Sequence, residues 1–285
     1  MSAPETLTGL SQISDRYDLV LCDVWGVVHN GKVPYVRSVE ALERYGAQGG
    51  KVVLISNSPR PRDGFIAQLD DIGVSRRAWT EVATSGDATL AELKKRAPGP
   101  AWAVGPERDL LLYDGAGVSL TDRPEDAAFV SCTGLIDDET EQPEDYRARF
   151  QVAVDRGLEM VCANPDKVVH RGADLIWCAG ALADVYEAMG GTVIMAGKPF
   201  RPIYDLAMRL AGDGFDPSRV LCIGDGLPTD VLGANNQNLD CYFVAGGIHG
   251  ADVVDPNGRL DPARAERLLA DHGAKARYVS QELSW

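Results

Sequence analysis

Four polar side chains stand at or just after the ends of apolar segments in distant parts of the chain. They are Asp23, Ser56, Lys198 and Asp225. Short apolar runs that end in polar residues are typical of buried parallel strands, whose carboxyl ends carry the chemistry of open α/β folds. We therefore expect these four side chains to converge in one crevice at the edge of a sheet.

Two carboxylates, an ammonium group and a hydroxyl group in one crevice suit phosphoryl chemistry at a hard metal ion. Magnesium prefers carboxylate and carbonyl oxygens, whereas lysine and hydroxyl groups hold phosphate oxygens. Taken alone, Asp23 could simply cap the segment after its strand, and Ser56 could cap a helix before Pro59. The four residues together favour the chemical interpretation over separate caps.

The elements that must position these residues alternate between strands and helices, which predicts an α/β fold with a doubly wound parallel sheet. Strands are expected within 17–22, 51–56, 80–85, 101–105, 127–132, 158–163, 192–196, 219–224 and 241–244. Helices are expected within 38–48, 86–96, 143–156, 181–189 and 203–210. Just beyond Asp23, the pair Asn30-Gly31 predicts a tight hairpin turn and therefore a small flap.

The cluster Pro98-Gly99-Pro100 marks a change of composition and a domain boundary. The segment that follows is long enough for a separate α/β module. We predict a core domain formed by residues 1–97 and 192–285, with residues 98–191 inserted as a second α/β domain.

Composition narrows the class of protein. The 285 residues have enough apolar content to form the cores of two globular domains. A formal net charge of -14 opposes loose binding to nucleic acid or to anionic membranes. The six cysteines have no CxxC spacing and mostly lie in apolar runs, which indicates free thiols in a reducing compartment. The amino terminus has no secretory-signal pattern, and no apolar run has bilayer-spanning length, so we expect a cytoplasmic protein.

Four short motifs occur in a fixed order. They are DVWGVVHNG from Asp23, ISNS ending at Ser58, GKP around Lys198, and GDGLPTD from Gly224 to Asp230. In this order the chain resembles the haloacid dehalogenase (HAD) superfamily of phosphohydrolases. It resembles in particular class IIA, the NagD-like and pyridoxal phosphate phosphatase-like members, whose cap domain lies between the second and third motifs. The resemblance covers nearly the whole chain and makes residues 98–191 the cap.

The resemblance implies a role for each motif residue. Asp23 would be the nucleophile that forms an aspartyl-phosphate, and Ser56 and Lys198 would bind the transferring phosphoryl group. Magnesium would be held by the carboxylates of Asp23 and Asp225 and by the backbone carbonyl of Trp25. Asp230 would be a further ligand or would support the others.

The resemblance also suggests residues that bind the substrate. Asn164-Pro165-Asp166 resembles the substrate-specificity loop of the class, so Asn164, Asp166 and His170 are candidates for contacts with the leaving group, and Asn57 is a further candidate beside Ser56. His170 could instead be an ordinary exposed loop histidine. The expected partner is a small phosphorylated metabolite, and the sequence leaves the oligomeric state open, with a homodimer as one option.

One position departs from the family pattern. Family phosphatases usually carry a second aspartate two residues after the nucleophile, where it protonates the departing alcohol, and here that position is Trp25. An indole has one N–H donor and no group that titrates near neutral pH, so it cannot act as a general acid or base. Loss of such a group typically costs about 10² to 10⁴ in rate.

Three interpretations of Trp25 remain open. The leaving group could depart without an acid, as from an acyl or aryl phosphate; His29 could substitute as the acid; or the protein could bind a phosphorylated metabolite without turning it over. We favour an enzyme, because the nucleophile, the lysine and the metal-binding acids are all present. Hydrolysis of a carbon-halogen bond would leave the two acids of GDGLPTD unexplained.

Overall fold

The computed structural model describes residues 3–171 and 174–285, and the side chains at 170, 171, 174 and 175 lie outside this description. The chain forms two compact units. Unit 1 comprises the described part of Met1–Ser56 together with Ile66–Ala83 and Lys198–Trp285. Unit 2 comprises Asn57–Phe65 and the described part of Thr84–Gly197.

The strands and helices are numbered in chain order. The strands are β1 Glu5–Thr6, β2 Leu19–Cys22, β3 Lys51–Ser56, β4 Glu81–Thr84, β5 Ala101–Val104, β6 Leu120–Thr121, β7 Phe129–Cys132, β8 Glu159–Cys162, β9 Val168–Arg171, β10 Asp174–Trp177, β11 Thr192–Met195, β12 Val220–Gly224, β13 Asp240–Val244 and β14 Tyr278–Ser280. The α-helices are α1 Val36–Ala47, α2 Arg62–Ile72, α3 Ser85–Lys94, α4 Arg147–Asp155, α5 Ala179–Ala188, α6 Arg201–Ala211, α7 Leu232–Asn236, α8 Gly250–Val253 and α9 Pro262–Asp271. Shorter helical turns span Leu10–Gln12, Ser14–Arg16, Arg76–Ala78, Glu107–Tyr113, Pro143–Tyr146, Pro217–Arg219 and Leu227–Val231.

A seven-stranded sheet forms the centre of unit 1, in the order β1-β14-β13-β12-β2-β3-β4. Strand β2 lies between β12 and β3, is parallel to both, and has every residue buried. Burial on both faces explains why these strands are continuous apolar runs rather than alternating ones. Cys22 is paired with Ile223 on one side and with Leu54 on the other, so the three strands end at nearly the same level.

Helix α1 shows how the flanking helices are fixed to this sheet. Its buried residues include Val39, Leu42 and Tyr45, the helical spacing expected from the sequence. The hydroxyl of Tyr45 donates to the backbone oxygen of Tyr17 at 2.9 Å, which holds the helix against the start of β2. After the helix, Gly49 adopts a φ of +94°, a conformation that glycine reaches without strain, and the chain turns into β3.

Unit 2 has its own sheet and its own core. Its five-stranded sheet has the order β11-β8-β7-β5-β6, and β9 and β10 form a separate antiparallel pair. Aromatic rings fill the core, with Phe150 packed edge-on against Trp102 and Tyr186 at centroid distances of 5.8 and 5.3 Å. Such contacts add to the free energy gained by burying the rings.

The α/β doubly wound architecture expected from the sequence is confirmed, and the predicted strands and helices are found within a few residues of their expected positions. The division into units differs from the predicted boundaries, because β11 pairs with β8 and thus joins the sheet of unit 2 rather than the core. Unit 2 also includes α3. None of the helices in the described part of the chain is long and apolar enough to cross a bilayer.

Candidate active site

The ammonium group of Lys198 lies between two buried carboxylates. Its Nζ donates to Oδ1 of Asp23 and, at 2.5 Å, to Oδ1 of Asp230. The Asp225 carboxylate completes the group, because one oxygen from each of the three aspartates lies within 4.8 Å of the others. The structure thus brings together four of the residues that the sequence predicted for this site.

The parallel register of the sheet explains this meeting. Asp23 directly follows β2 and Asp225 directly follows β12, which is paired with β2. Ser56 is the last residue of β3 on the other side of β2, and it is buried. Three neighbouring strands therefore deliver a carboxylate, a carboxylate and a hydroxyl to the same edge of one sheet.

Two glycines allow the chain to enclose Asp225. A Cβ atom at Gly26 would lie 2.2 Å from Oδ2 of Asp225, and one at Gly247 would lie 2.0 Å from the same oxygen. Oδ2 also accepts a hydrogen bond of 2.8 Å from the backbone N–H of Ile248. The loops after β2 and β13 therefore fix the Asp225 carboxylate by close backbone contact, which any larger residue at these glycines would block.

Asp230 is held in a comparable way. Its Oδ2 accepts from the backbone N–H of Gly226 at 2.9 Å, while its Oδ1 accepts from Lys198. A Cβ atom at Gly224 would approach the Asp230 side chain to 2.3 Å. With both carboxylate oxygens engaged, Asp230 orients the lysine and closes the turn that follows β12.

Burial and mutual repulsion strongly perturb the carboxylates. Burial, followed by the negative charge of Asp230, raises the pKa of Asp23 well above its usual value. The same two causes raise the pKa of Asp225 to about 7. Burial acts to lower the pKa of Lys198, but the charges of Asp23 and Asp230 outweigh it and raise that pKa. The lysine is therefore a permanent cation, whereas the acids repel one another.

This donor set fits a hard divalent cation. When ionised, the three aspartates carry more negative charge than one lysine balances, and oxygen atoms from carboxylates are the ligands that magnesium prefers. A bound dication would relieve the repulsion that raises the carboxylate pKa values. Trp25, whose backbone carbonyl is the remaining predicted ligand, stands in the sequence between Asp23 and Gly26, the glycine that approaches Asp225.

The loop after Asp23 is a compact turn. His29 Nδ1 accepts a hydrogen bond of 2.9 Å from the N–H of Gly31, and the Asn30 side chain accepts from two backbone N–H groups. The predicted tight turn is therefore present, although none of the strands defined above flanks it. The Trp25 ring packs on Gly31, where a Cβ atom would lie 2.3 Å away, and meets the His29 ring nearly perpendicularly. About half of the Trp25 side chain, 49%, is exposed.

His29 does not suit the role of a substitute acid. Its side chain is buried, and burial lowers its pKa to about 4. The imidazole is therefore neutral at pH 7, and its accepting Nδ1 places the proton on Nε2. The interpretation that His29 replaces the missing acid is not supported, and its contacts with Gly31 and Trp25 indicate a structural role.

In unit 2, the predicted specificity loop is held together by its own polar groups. Asn164 is buried, and its Oδ1 accepts from the N–H of Asp166 at 3.0 Å. The Asp166 carboxylate accepts from Nδ2 of Asn57 at 3.0 Å, so Asn57 and Asp166 contact each other. The backbone of His170 is in β9, but its side chain lies outside the described residues.

Unit 2 contains a cleft that the sequence did not predict. Asn164 lines it together with Arg60, Arg108, Asp109 and Trp177. Arg60 could have been suspected, since it follows the SNSP segment closely, and Trp177 ends the short apolar run Leu175-Ile176-Trp177. The other two lie in a helical turn with no chemical motif, so no local signal marks them.

Comparison with known proteins agrees with this site. A family model described as haloacid dehalogenase-like hydrolase matches residues 20–119, and a HAD-hydrolase-like model matches residues 195–271. A crystal structure of a hydrolase of the haloacid dehalogenase-like family from Brucella suis is 44% identical, with a TM-score of 0.83, over 98% of this chain and 99% of that chain. This chain belongs to the haloacid dehalogenase-like family.

Several of its relatives are named as phosphatases. Ribonucleotide monophosphatase NagD of Escherichia coli K12 is 24% identical over 83% of this chain and 90% of its own length. Glycerol phosphate phosphatase of Mycobacterium tuberculosis, solved in complex with magnesium, is 25% identical over 95% of this chain and 77% of that chain, with a TM-score of 0.69. These findings confirm the prediction of a class IIA HAD hydrolase and of an enzyme.

The raised pKa of Asp225 predicts a pH dependence of stability. Its usual pKa is 3.8 and its folded value about 7, so the folded chain binds more protons in this range and loses stability as pH rises from 3.8 to 7. Urea unfolding in EDTA should show this decline, and Asp225→Asn should weaken it because the amide does not titrate. An equal decline in both proteins would contradict the assignment.

The enclosure of Asp225 predicts a sensitive glycine. Gly247→Ala should weaken magnesium binding by about tenfold or more, measured by isothermal titration calorimetry, because the new Cβ would displace the carboxylate. Gly250→Ala is the matched control, since a Cβ there meets nothing within 4 Å. Equal magnesium affinity of the two variants would show that Asp225 is not held in this way.

Proposed function

We propose that this protein is a magnesium-dependent phosphohydrolase that acts on a small phosphorylated metabolite through an aspartyl-phosphate on Asp23. The observation that carries the proposal is the contact of Lys198 with both Asp23 and Asp230, beside Asp225. This arrangement combines a carboxylate nucleophile, a fixed cation and metal-binding acids. The phosphatase names of the relatives support the same reaction class.

In this proposal, Asp23 attacks the phosphorus atom and the bond to the leaving oxygen breaks. The Lys198 ammonium and the Ser56 hydroxyl balance and hold the phosphoryl oxygens. Because Lys198 is fixed by Asp230, it needs little reorganisation when charge shifts onto the transferring group. Water then attacks the phosphorus of the aspartyl-phosphate, which releases inorganic phosphate and regenerates Asp23.

Asp23, Asp225 and the Trp25 carbonyl would hold magnesium, with Asp230 as supporting residue. When bound, the ion would neutralise negative charge on the phosphoryl group and on the nucleophile. The magnesium in the related M. tuberculosis structure supports this choice of metal. Unit 2 would correspond to the inserted cap domain that the resemblance to class IIA implies.

Trp25 limits which substrates react quickly. Neither its indole nor the neutral, buried His29 can protonate a leaving group near pH 7. Substrates whose leaving group is stable as an anion, such as aryl or acyl phosphates, are therefore favoured. The alternative of a binding protein without turnover receives no specific support from the site, since the proposed nucleophile, lysine and acids are all in contact or close proximity.

The covalent route predicts a complete dependence on Asp23. Purified protein with magnesium should release p-nitrophenol slowly from p-nitrophenyl phosphate, and Asp23→Asn or chelation by EDTA should abolish the activity, because the amide is not a nucleophile. Asp155→Asn, an exposed aspartate on α4, is the control and should retain full activity. Turnover by Asp23→Asn would exclude an aspartyl-phosphate on this residue.

The leaving-group argument predicts a selective gain in Trp25→Asp. The new carboxyl group should raise kcat on alkyl phosphates by about 10² or less, a fraction of the usual contribution of a general acid, and should change kcat on aryl phosphates far less. Steady-state assays of phosphate release compare the two substrate types. An equal change on both would show that Trp25 does not act through protonation of the leaving group.

A further inference from the structure

Two of the four histidines of the chain lie side by side in unit 1. His249 follows the loop at the end of β13 and directly precedes α8, while His272 directly follows α9. The centres of the two rings are 6.0 Å apart, with an angle of 60° between the ring planes. The packing of α8 against α9 thus brings together two imidazoles that are distant in the sequence.

The His249 ring faces an acid with one nitrogen and leaves the other without a partner. Its Nδ1 lies 3.8 Å from Oδ2 of Asp252, a residue of α8. A carboxylate on this side favours the tautomer that carries its proton on Nδ1, so that Nε2 holds a lone pair. The Nε2 atom is buried and makes no hydrogen bond to any described residue. Because a buried acceptor without a partner is unfavourable, this nitrogen is suited to bind a ligand that takes up its lone pair.

The ring of His272 has a matching orientation. Its Nδ1 lies 2.9 Å from the backbone oxygen of Leu268, one turn earlier in α9. A carbonyl oxygen can only accept, so the proton of the neutral ring belongs on Nδ1, and Nε2 again holds a lone pair. Metal-binding histidines typically donate their other ring N–H to a carboxylate or a backbone carbonyl, which fixes the ring. Asp252 and Leu268 supply one acceptor of each kind.

The local charges favour a cation at this histidine pair. Burial, followed by the positive charge that His272 can carry, lowers the pKa of His249 from its usual value of 6.5. His249 is therefore neutral near pH 7, and the neutral imidazole is the form that binds metal ions. The Asp252 carboxylate beside it adds negative charge.

We propose that His249 and His272 bind a divalent transition-metal ion such as zinc, at a site separate from the three buried aspartates. Imidazole nitrogen suits zinc, copper and nickel, whereas magnesium prefers oxygen, so the two sites would select different ions. Zinc–nitrogen bonds are about 2.0–2.1 Å long, which places the centres of two rings on one tetrahedral ion about 5 Å apart. His272 is exposed, so its side chain can make the shift of about 1 Å that this geometry requires.

The ion would join two elements of unit 1. Ile248 directly precedes His249, and its backbone N–H holds Oδ2 of Asp225. A metal bridge to His272 would therefore anchor this loop to the end of α9. Because the ion would bind the folded chain, zinc should raise the midpoint of thermal unfolding of the wild type and leave that of His272→Gln unchanged.

Isothermal titration calorimetry with zinc, on the full-length protein in excess magnesium, tests the site. Asp252→Asn should lower the zinc affinity by about tenfold or more, since loss of a residue that orients a metal-binding histidine costs about 10- to 100-fold. His272→Gln should lower it further, because a ligand itself is lost. Asp271→Asn removes an exposed carboxylate next to His272 in the sequence and is the matched control, which should retain the wild-type affinity.

Electron paramagnetic resonance with copper identifies the ligand atoms. One equivalent of Cu²⁺ in excess magnesium should give a spectrum split by two nitrogen atoms, whereas the aspartates offer only oxygen. His249→Gln and His272→Gln should each lose this pattern, and Asp225→Asn should keep it. Since the exposed His272 can be replaced without disturbing the core, the test does not depend on the folding of the His249 variant.

Three results would overturn the proposal. They are an oxygen-only copper spectrum in the wild type, an unchanged zinc affinity in His272→Gln, and loss of zinc binding in Asp225→Asn with retention in His272→Gln. The last result would place the ion at the aspartates. None of these measurements requires turnover, so their outcome is independent of the proposed phosphatase reaction.

Discussion

The contact of Lys198 with Asp23 and Asp230 is the interaction on which the rest of the site depends. Three buried carboxylates within 4.8 Å of one another repel, and burial deprives them of water, so the arrangement would be unfavourable without a cation. Lys198 supplies one such positive charge, and it is the residue at which the chain returns from unit 2 to unit 1. A dication bound at the same acids would complete the neutralisation, which explains why a metal and a phosphate ester suit this site together.

The fold brings these charged side chains together and leaves them little conformational freedom. Parallel strands β12, β2 and β3 end at the same edge, and glycines at positions where the backbone touches a carboxylate let the loops close around Asp225 and Asp230. Hydrogen bonds from Gly226 and Ile248 then fix the orientation of both acids. Backbone N–H groups and one lysine thus offset the free energy needed to bury the carboxylates. The resulting site is preorganised, and preorganisation is the main source of catalysis by electrostatic stabilisation.

The sheet and the acid cluster could be predicted because their signals are local. Apolar runs ending in Asp23, Ser56 and Asp225 fix both the strand type and the position of the chemistry, and parallel strands share one carboxyl edge. The predicted core segment begins at 192, whereas unit 1 resumes at Lys198. An apolar strand has the same sequence pattern in either sheet, and only the pairing of β11 with β8 shows which sheet it joins. The burial of His29 and the cleft around Trp177 depend on tertiary packing, which no spacing in the sequence encodes.

The central claim is that Asp23 carries the phosphoryl group during turnover. The most direct test is to quench the reacting wild-type protein, reduce it with borohydride and analyse its peptides by mass spectrometry, because an aspartyl-phosphate is reduced to homoserine whereas a free aspartate is not. The account predicts homoserine at position 23 only when magnesium and a phosphate ester are both present. Unmodified Asp23 in protein that is rapidly releasing phosphate, with homoserine at another position or at none, would contradict it.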